Sequence, residues 1–396
     1  MDWKKMAQKY ENEIIATTQE LLQIPSKSTE EGDIARYVQE KMHELGYDKV
    51  EVDQFGNVFG TMKGTGNGPS LMLNCHMDTV DEGDVSKWKY PPFSGEIAEG
   101  KIWGRGASDT KGTMAVQIWA PAILRKEGVE LKGDIVTACV ISEEIAGFGA
   151  MLHTQAGTHL TDYAILGEAT ENQLAIGNRG RFCAVITIDG KSCHASIPQT
   201  GKNPFDFLTE LLPRLKEVEM GRDELFGEST MSITRLVSSE PGSNVIPNTI
   251  EMYVDFRSST ADPEDVALAK IQAAIDAVPL EGFRVNLRAL YFPITTYTGY
   301  EGEGYQGEYP FSIAKDDPFV VLCKKTLEEA LGKPIDMYPW KFATDAGHYA
   351  AKGVKCIGYS PAEIVLCHTT SDNIDIAMQK EGTAGYLALI PAIVNQ

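Results

Sequence analysis

SLMLNCH, residues 70–76, is an apolar run of strand length that ends on a histidine. Two later runs repeat the pattern: DIVTACVIS (134–142) leads into Glu143-Glu144, and DYAILGE (162–168) ends on Glu168. Apolar strands alternating with helical stretches specify a largely parallel sheet with helices on both faces. Ligands of such sheets sit beyond the carboxyl ends of the strands. All three runs deliver an acid or a histidine to that edge, so the edge is where chemistry is expected.

The flanking chain completes an α/β unit. Residues 5–24 read as a helix stopped by Ile24-Pro25-Ser26, and a second helix covers roughly 31–46, ending at Gly46. β-rich runs at 48–54 and 57–62 precede GTGNG (64–68), which lacks the downstream Gly-Lys-Ser/Thr of a phosphate loop and reads as a hairpin turn. Between 180 and 296 the pattern changes. RFCAVITIDG (181–190) is an alternating strand, 203–220 a helix, and MSITRLV (231–237) and TIEMYVDFR (249–257) are strands. PEDVALAKIQAAIDAV (263–278) is an amphipathic helix and FRVNLRALY (283–291) a last strand. The order β-α-β-β-α-β is that of a ferredoxin-like sandwich. A helix at 317–331 and a strand near 354–359 then resume the first unit. The expected domains are therefore 1–179 with 297–396, and an inserted unit over 180–296.

Composition narrows the partners. Of 396 residues, 43% are hydrophobic and 23% charged, the balance of a soluble chain that can bury a full core. The formal net charge of −20 repels phosphate backbones and anionic lipid, which argues against nucleic acid and membrane surfaces. The opening MDWKKMAQKYENEIIATTQELL is a charged amphipathic helix rather than a secretory signal, and no stretch approaches the ~18 apolar residues that span a bilayer. Seven cysteines, an odd number without a CxxC pair, point to a reducing cytoplasm.

Five short motifs could hold metal. In His76-Met77-Asp78-Thr79-Val80, strand alternation puts His76 and Asp78 on one side, where a carboxylate can accept the free ring N–H. A strand-end histidine beside a turn-forming aspartate is the plainer account. Gly104 to Gly112 form a glycine-punctuated loop in which Asp109 can offer an oxygen to each of two cations, or else belong to a helix-capping box with Ser108. Adjacent Glu143 and Glu144 would repel each other in a low-dielectric cleft unless cations neutralise them, although a solvated acidic loop explains them too. Glu168 and His368 are mundane singly. Their joint arrival at strand ends is the signal.

In this order, His-x-Asp-Thr-Val, Gly-Arg-Gly-x-x-Asp-x-Lys-Gly, Glu-Glu, Gly-Glu-x-Thr and a late His-Thr resemble the co-catalytic metallopeptidase clan of acetylornithine deacetylase, succinyl-diaminopimelate desuccinylase, aminoacylase and carboxypeptidase G, the M20 group. The resemblance covers nearly the whole chain. It implies a zinc-peptidase-like catalytic domain and an inserted lid or dimerisation domain. It implies that Asp109 bridges two divalent ions, zinc first, with cobalt or manganese as substitutes. His76 and Glu168 would complete one ion, and Glu144 and His368 the other. Glu143 would be the general base, Asp78 would orient His76, and the Asp109–Thr110 peptide bond would be cis. The sequence departs from the pattern at Asp372, where a glutamate is usual.

Two cations about 3.5–4 Å apart can share one water and lower its pKa from 15.7 towards about 7. Glu143 would take its proton and return it to the leaving amine. In the inserted domain the resemblance implies that His194 donates to the oxyanion, often from the partner subunit of a homodimer. Asn244 and Arg257 match positions that grip a substrate carboxylate, a task suited to the guanidinium fork, although Arg257 could equally pair with Asp255. Thr344, in Thr344-Asp345-Ala346, matches a turn at the floor of the site and is expected to contact the substrate. Cys75, Cys193 and Cys367 directly precede the histidines and are rival ligands, but alternation favours Cys75 and Cys367 as core fillers. The expected function is hydrolysis of an amide in a small N-acyl amino acid or short peptide. A dipeptidase or carboxypeptidase is the alternative. A non-catalytic metal-binding protein would have no need of Glu143.

Overall fold

The computed structural model describes residues 1–145, 147–279, 281–305 and 307–396. Leu71–His76 pairs in parallel with Ile135–Val140 on one side and Tyr163–Leu166 on the other. Lys355–Gly358 extends this parallel core beyond Tyr163–Leu166. Antiparallel strands close both flanks, Lys49–Val52 with Val58–Met62 on one, Leu174–Asn178 with Phe311–Ser312 on the other. Met337–Trp340 adds in parallel to Leu174–Asn178, which makes nine strands in a mixed sheet.

Alternation explains why both faces are covered. Leu71, Leu73, Cys75, Ile135, Cys139 and Ile165 point to one face, where Gly112–Lys126, Pro318–Leu331 and Ile376–Val394 pack. Met72, Val136, Ala138, Ala164 and Leu166 point to the other, against Phe148–Ala156 and Ala346–Ala350. Because the four core strands run the same way, their carboxyl ends share one edge. His76 closes the first strand there, and Glu143, Glu144 and Glu168 lie just past the next two.

The structure departs from the sequence reading at two places in this unit. The first helix is two, Trp3–Lys9 and Glu11–Leu22, broken where Tyr10 turns inward and hydrogen-bonds Glu127. GTGNG is not a hairpin turn, because Ile135–Val140 lies between the two strands it connects. The loop instead docks on the 131–133 segment, with Thr65 and Gly66 donating to the carbonyls of Leu131 and Lys132. Among the described residues, no helix is long and apolar enough to cross a membrane.

Leu174–Asn178 runs almost directly into Gly180–Asp189, the centre of a second, antiparallel sheet. Thr249–Ser258 and Arg284–Ala289 flank it, and Thr230–Ser238 forms an outer edge. Pro204–Lys216 and Glu264–Asp276 cover one face, burying Phe207, Leu211, Ile271 and Ile275 against Ile186, Ile188 and Met252. The chain keeps to this sheet longer than its patterning suggests. Gly307–Glu308 pairs with Phe182 and Arg181, and only Phe311–Ser312 rejoins the first sheet.

Gly68 marks where the loop meets the C-terminal helix. A Cβ there would lie 2.0 Å from the Val394 carbonyl oxygen and 2.8 Å from the Gly133 nitrogen, both backbone atoms. Gly68→Ala is therefore expected to cost about 1–3 kcal/mol, read as a lowered denaturation midpoint, with metal content unchanged in the folded fraction.

Candidate metal centre

The Asp109 carboxylate sits between two histidines. Its Oδ1 is 3.0 Å from His76 Nε2 and its Oδ2 is 3.0 Å from His368 Nε2. Each histidine faces a second carboxylate, Glu168 at 3.5 Å from His76 and Glu144 at 2.9 Å from His368. Glu143 approaches from the His76 side, where one ligand atom each of His76, Glu143 and Glu168 lie within 4.8 Å of one another. Its carboxylate makes no hydrogen bond among the described residues. Only His368 of the group is well exposed, its side chain 53% accessible against 1% for His76.

The local backbone explains these positions. Gly106 turns the loop at φ +86, and a Cβ there would meet Thr79 Cγ2 at 2.7 Å, so the approach of this loop to the strand end requires glycine. The Asp109–Thr110 bond is cis. The Ser108 hydroxyl donates to the Asn373 carbonyl instead of capping a helix. Asp372 is fully buried and accepts from the backbone N–H of Gly106 and Ser108 at 2.7 and 2.9 Å, and from Arg105 at 3.2 Å. The shorter side chain at this position thus holds the loop that carries Asp109.

Asp78 does something the sequence reading did not assign. His76 Nδ1 donates to the Asp78 backbone carbonyl at 2.9 Å, with the carboxylate further away at 3.5 Å. The carboxylate accepts from the N–H of Glu143 and Glu144, at 3.0 and 3.2 Å, and from the Ser28 hydroxyl at 2.6 Å. It therefore positions the Glu143-Glu144 turn as well as lying beside the histidine. Glu31 supports the same turn through Ser142, and burial with the nearby Asp78 charge pushes its carboxyl up to about 7. Neither Ser28 nor Glu31 stands in a motif.

The charge balance without cations is telling. Burial raises Glu143, Glu144 and Glu168, and neighbouring carboxylates add to the rise in each. Burial acts against Asp109 too, but hydrogen bonds from His368 and His76 hold it well below the usual carboxylate range. Its partner His368 is pushed up to about 10 by Asp109 and Glu144. Burial pulls His76 down, yet hydrogen bonds to Asp109 and Asp78 leave it well above its ordinary value. Without cations, both imidazoles are thus drawn towards the protonated, positive form. Nitrogen and carboxylate oxygen are the ligands of zinc, manganese and cobalt, and the donor set fits a pair of divalent ions.

A cavity of about 330 Å³ opens over these groups, lined also by Phe342, Ala343, Ile364 and Cys367, and by Arg181, Arg257 and Glu308 of the second sheet. Arg257 lines it while paired to Asp255 at 2.7 Å, so both of its expected roles are present in the geometry. Thr344 does not reach the cavity. It is fully buried, its hydroxyl donating to Asn178 and accepting from the Ala346 N–H, so it fixes the turn instead of offering a substrate contact. His194 ends a short strand that pairs with Val245–Ile246, Asn244 directly precedes that partner strand, an Ala195 N–H to Asn244 carbonyl bond joins them, and neither lines the cavity. Cys75 is core filling, packed on Gly167, whereas Cys367 lines the cavity and is not the core filler that alternation suggests. Burial pushes the Cys367 thiol far up, which disfavours a thiolate ligand.

The family model described as peptidase family M20/M25/M40 matches residues 72–392. A succinyl-diaminopimelate desuccinylase of Cereibacter sphaeroides is 31% identical over 259 residues, 62% of this chain and 68% of the relative. The Escherichia coli K12 protein YgeY is 28% identical over 372 residues, 92% of this chain and 91% of its own length. Among solved structures, aminopeptidase PepT from Bacillus cereus superposes with a TM-score of 0.74 at 20% identity, over 97% of this chain and 98% of the other. Bacillus subtilis YXEP, a dinuclear metal-binding peptidase, does so with 0.71 at 16% identity, over 98% and 99%. At such identities the likeness is one of fold.

Cation binding must displace the imidazolium protons. Affinity is therefore expected to rise with pH until His368 deprotonates unaided near 10. Calorimetric titration at pH 7.5, in buffers of different ionisation enthalpy, should register the release of at least one proton. Asp372→Ala should weaken metal binding roughly 10–100-fold, measured by competition with a chelator, because it frees the loop that carries Asp109.

Proposed function

Because the chain belongs to peptidase family M20/M25/M40, we propose that it hydrolyses the amide bond of a small N-acyl amino acid or short peptide, with Glu143 as general base. The chain is a metal-dependent hydrolase of that family. The observation that carries the proposal is the division of Asp109 between two sets, His76 with Glu168 and His368 with Glu144. Two divalent ions, zinc in this reading and cobalt or manganese as substitutes, would supply Lewis-acid activation of water and of the scissile carbonyl.

The chain's own residues do the rest. The Glu143 carboxylate, free of hydrogen bonds among the described residues and lining the cavity, takes the proton of the attacking water. It then protonates the departing amine nitrogen. The Asp78 carboxylate keeps the base in place through the Glu143 N–H. Without cations, burial and the Glu168 charge hold Glu143 above the ordinary carboxyl range. Arg257 would grip a substrate carboxylate.

A deacylase is favoured over a dipeptidase or carboxypeptidase by the 31% identical relatives named for desuccinylation of an N-succinyl amino acid. The reading includes a homodimer formed through residues 180–296. His194 and Asn244 stand outside the cavity of their own chain, and Ile233 and Leu236 are exposed on the outer strand of the second sheet. A partner chain would bring His194 to the oxyanion. The free cysteines suit the reducing cytoplasm in which we place the enzyme.

Zinc- or cobalt-loaded protein is expected to hydrolyse members of a panel of N-acyl amino acids and dipeptides. Glu143→Gln should lower kcat by about 10²–10⁴-fold while metal content stays near the wild-type value. Loss of metal in that variant would overturn the role. Mixing His194→Ala with Glu143→Gln should restore part of the activity if His194 acts across the dimer. Mixtures no more active than the separate variants would overturn that part.

A further inference from the structure

We propose that the substrate carries a free ammonium group near the scissile amide as well as a carboxylate, and that Glu308 is the side chain that recognises the ammonium. The inference rests on the hydrolase reading above and narrows its substrate class.

It starts from strand register. Arg181 stands opposite Arg257 on one side and opposite Glu308 on the other, across three neighbouring antiparallel strands. Directly opposed residues share a face of the sheet, with Cβ atoms about 4.5–5.5 Å apart. The three therefore form one cross-strand row, and all three line the cavity over the metal centre. The row ends there because Gly180 and Glu308 are where the second sheet meets the first.

The charges along the row are unequally matched. Asp255 lies between the arginines, 3.2 Å from Arg181 Nε and 2.7 Å from Arg257 Nε. One carboxylate thus answers two guanidinium groups, and their surplus suits a substrate carboxylate. Glu308 is left out of this pairing. Among the described residues its carboxylate makes no hydrogen bond and no ion pair, although it is half-buried and Arg181 is its ladder partner. Burial pushes it up to about 7, the arginine charges oppose the rise and Glu144 adds to it.

A half-buried carboxylate without a partner is unfavourable unless a ligand supplies one. A substrate bearing only a carboxylate would meet Glu308 as an unmatched like charge beside Glu144. An ammonium group would meet Glu308 on one side while the substrate carboxylate faces the arginines. The row thus presents both signs at a spacing set by the β-ladder, which is what recognition of a zwitterion requires. Sites built to pair a polar group of the substrate discriminate strongly against analogues that lack it.

The amine could stand on the acyl side or on the amino-acid side of the bond, and two matched pairs of substrates separate these. Ala-Leu differs from propionyl-leucine only by the acyl-side amine. Nα-acetyl-lysine differs from N-acetyl-norleucine only by the side-chain amine. In the metal-loaded protein, kcat/KM for the amine-bearing member is expected to exceed its match by about 10-fold or more in at least one pair. Glu308→Gln should reduce that ratio by a similar factor, and Glu308→Lys should invert it. Metal content of each variant verifies the fold, and either variant suffices if the other fails to keep its metal. A ratio near one in both pairs, or a ratio unchanged by both substitutions, overturns the assignment of Glu308 and leaves the hydrolase reading standing. Failure of wild-type protein with two bound metals to cleave any of the four, while it cleaves other members of the panel above, overturns the assignment of Glu308, and failure on the whole panel overturns the hydrolase reading as well.

Discussion

Four carboxylates and two imidazoles converge on a cleft that water reaches only in part, and their repulsion is the constraint the rest of the structure serves. Glu143, Glu144 and Glu168 are each raised by burial and by the charge of neighbouring carboxylates. Left alone, such a group would be pushed apart or protonated. The parallel core prevents the first outcome. His76 stands opposite Val140 in the ladder, and Leu166 pairs with Asn74, so the three strand ends that carry the acids and the histidine cannot drift without breaking the centre of the sheet. Asp109, placed between His76 and His368, makes one charge serve two sites.

Holding that arrangement falls to polar groups that never face the cavity. Asp78 and Asp372 are completely buried and have several donors each. A buried carboxylate with several N–H donors is stiff, because any movement leaves a polar group unpaired at about 1–3 kcal/mol. Asp78 ties the Glu143-Glu144 turn to the strand of His76, and Asp372 ties the Asp109 loop to the segment after His368. The two anchors therefore link every motif except Glu168, which the strand Tyr163–Leu166 places directly. Outer supports of this kind commonly govern metal affinity as much as the ligands do.

The legible and illegible parts of the sequence divide along the same line. Strand-end acids and histidines advertise themselves because an apolar run that stops on a charge is rare and occurs here three times. The β-α-β-β-α-β order was likewise readable, since each element carries its own period. GTGNG was misread because glycine density signals a tight bend without saying which strand comes next. Here it allows backbone to pack on backbone at Gly133 and Val394. Thr344 was misread because a motif position gives no depth. Ser28, Glu31, Arg181 and Glu308 were invisible for a third reason. Each takes its place from a residue distant in the chain, Ser28 on Asp78, Glu31 on Ser142 and Glu308 opposite Arg181 in the ladder, and no local pattern records such a neighbour.

The second sheet shows how a fold can attach specificity to a fixed reaction centre. Leu174–Asn178 and Gly180–Asp189 are separated by a single residue, so the first ladder positions of the second sheet are as firmly placed as the last of the first sheet. Residues there face the cavity while belonging to a different hydrophobic core, that of Ile186, Met252 and Ile271. Substitutions in the row of Arg257, Arg181 and Glu308 therefore change what the cavity attracts without disturbing the strand ends that hold the acids. His194 and Asn244, at a separate two-stranded ladder beyond the end of Gly180–Asp189, lie beyond the reach of the cavity in their own chain. Distance from the junction thus separates side chains that can read a substrate within one chain from those that need a second chain or a change of shape to take part.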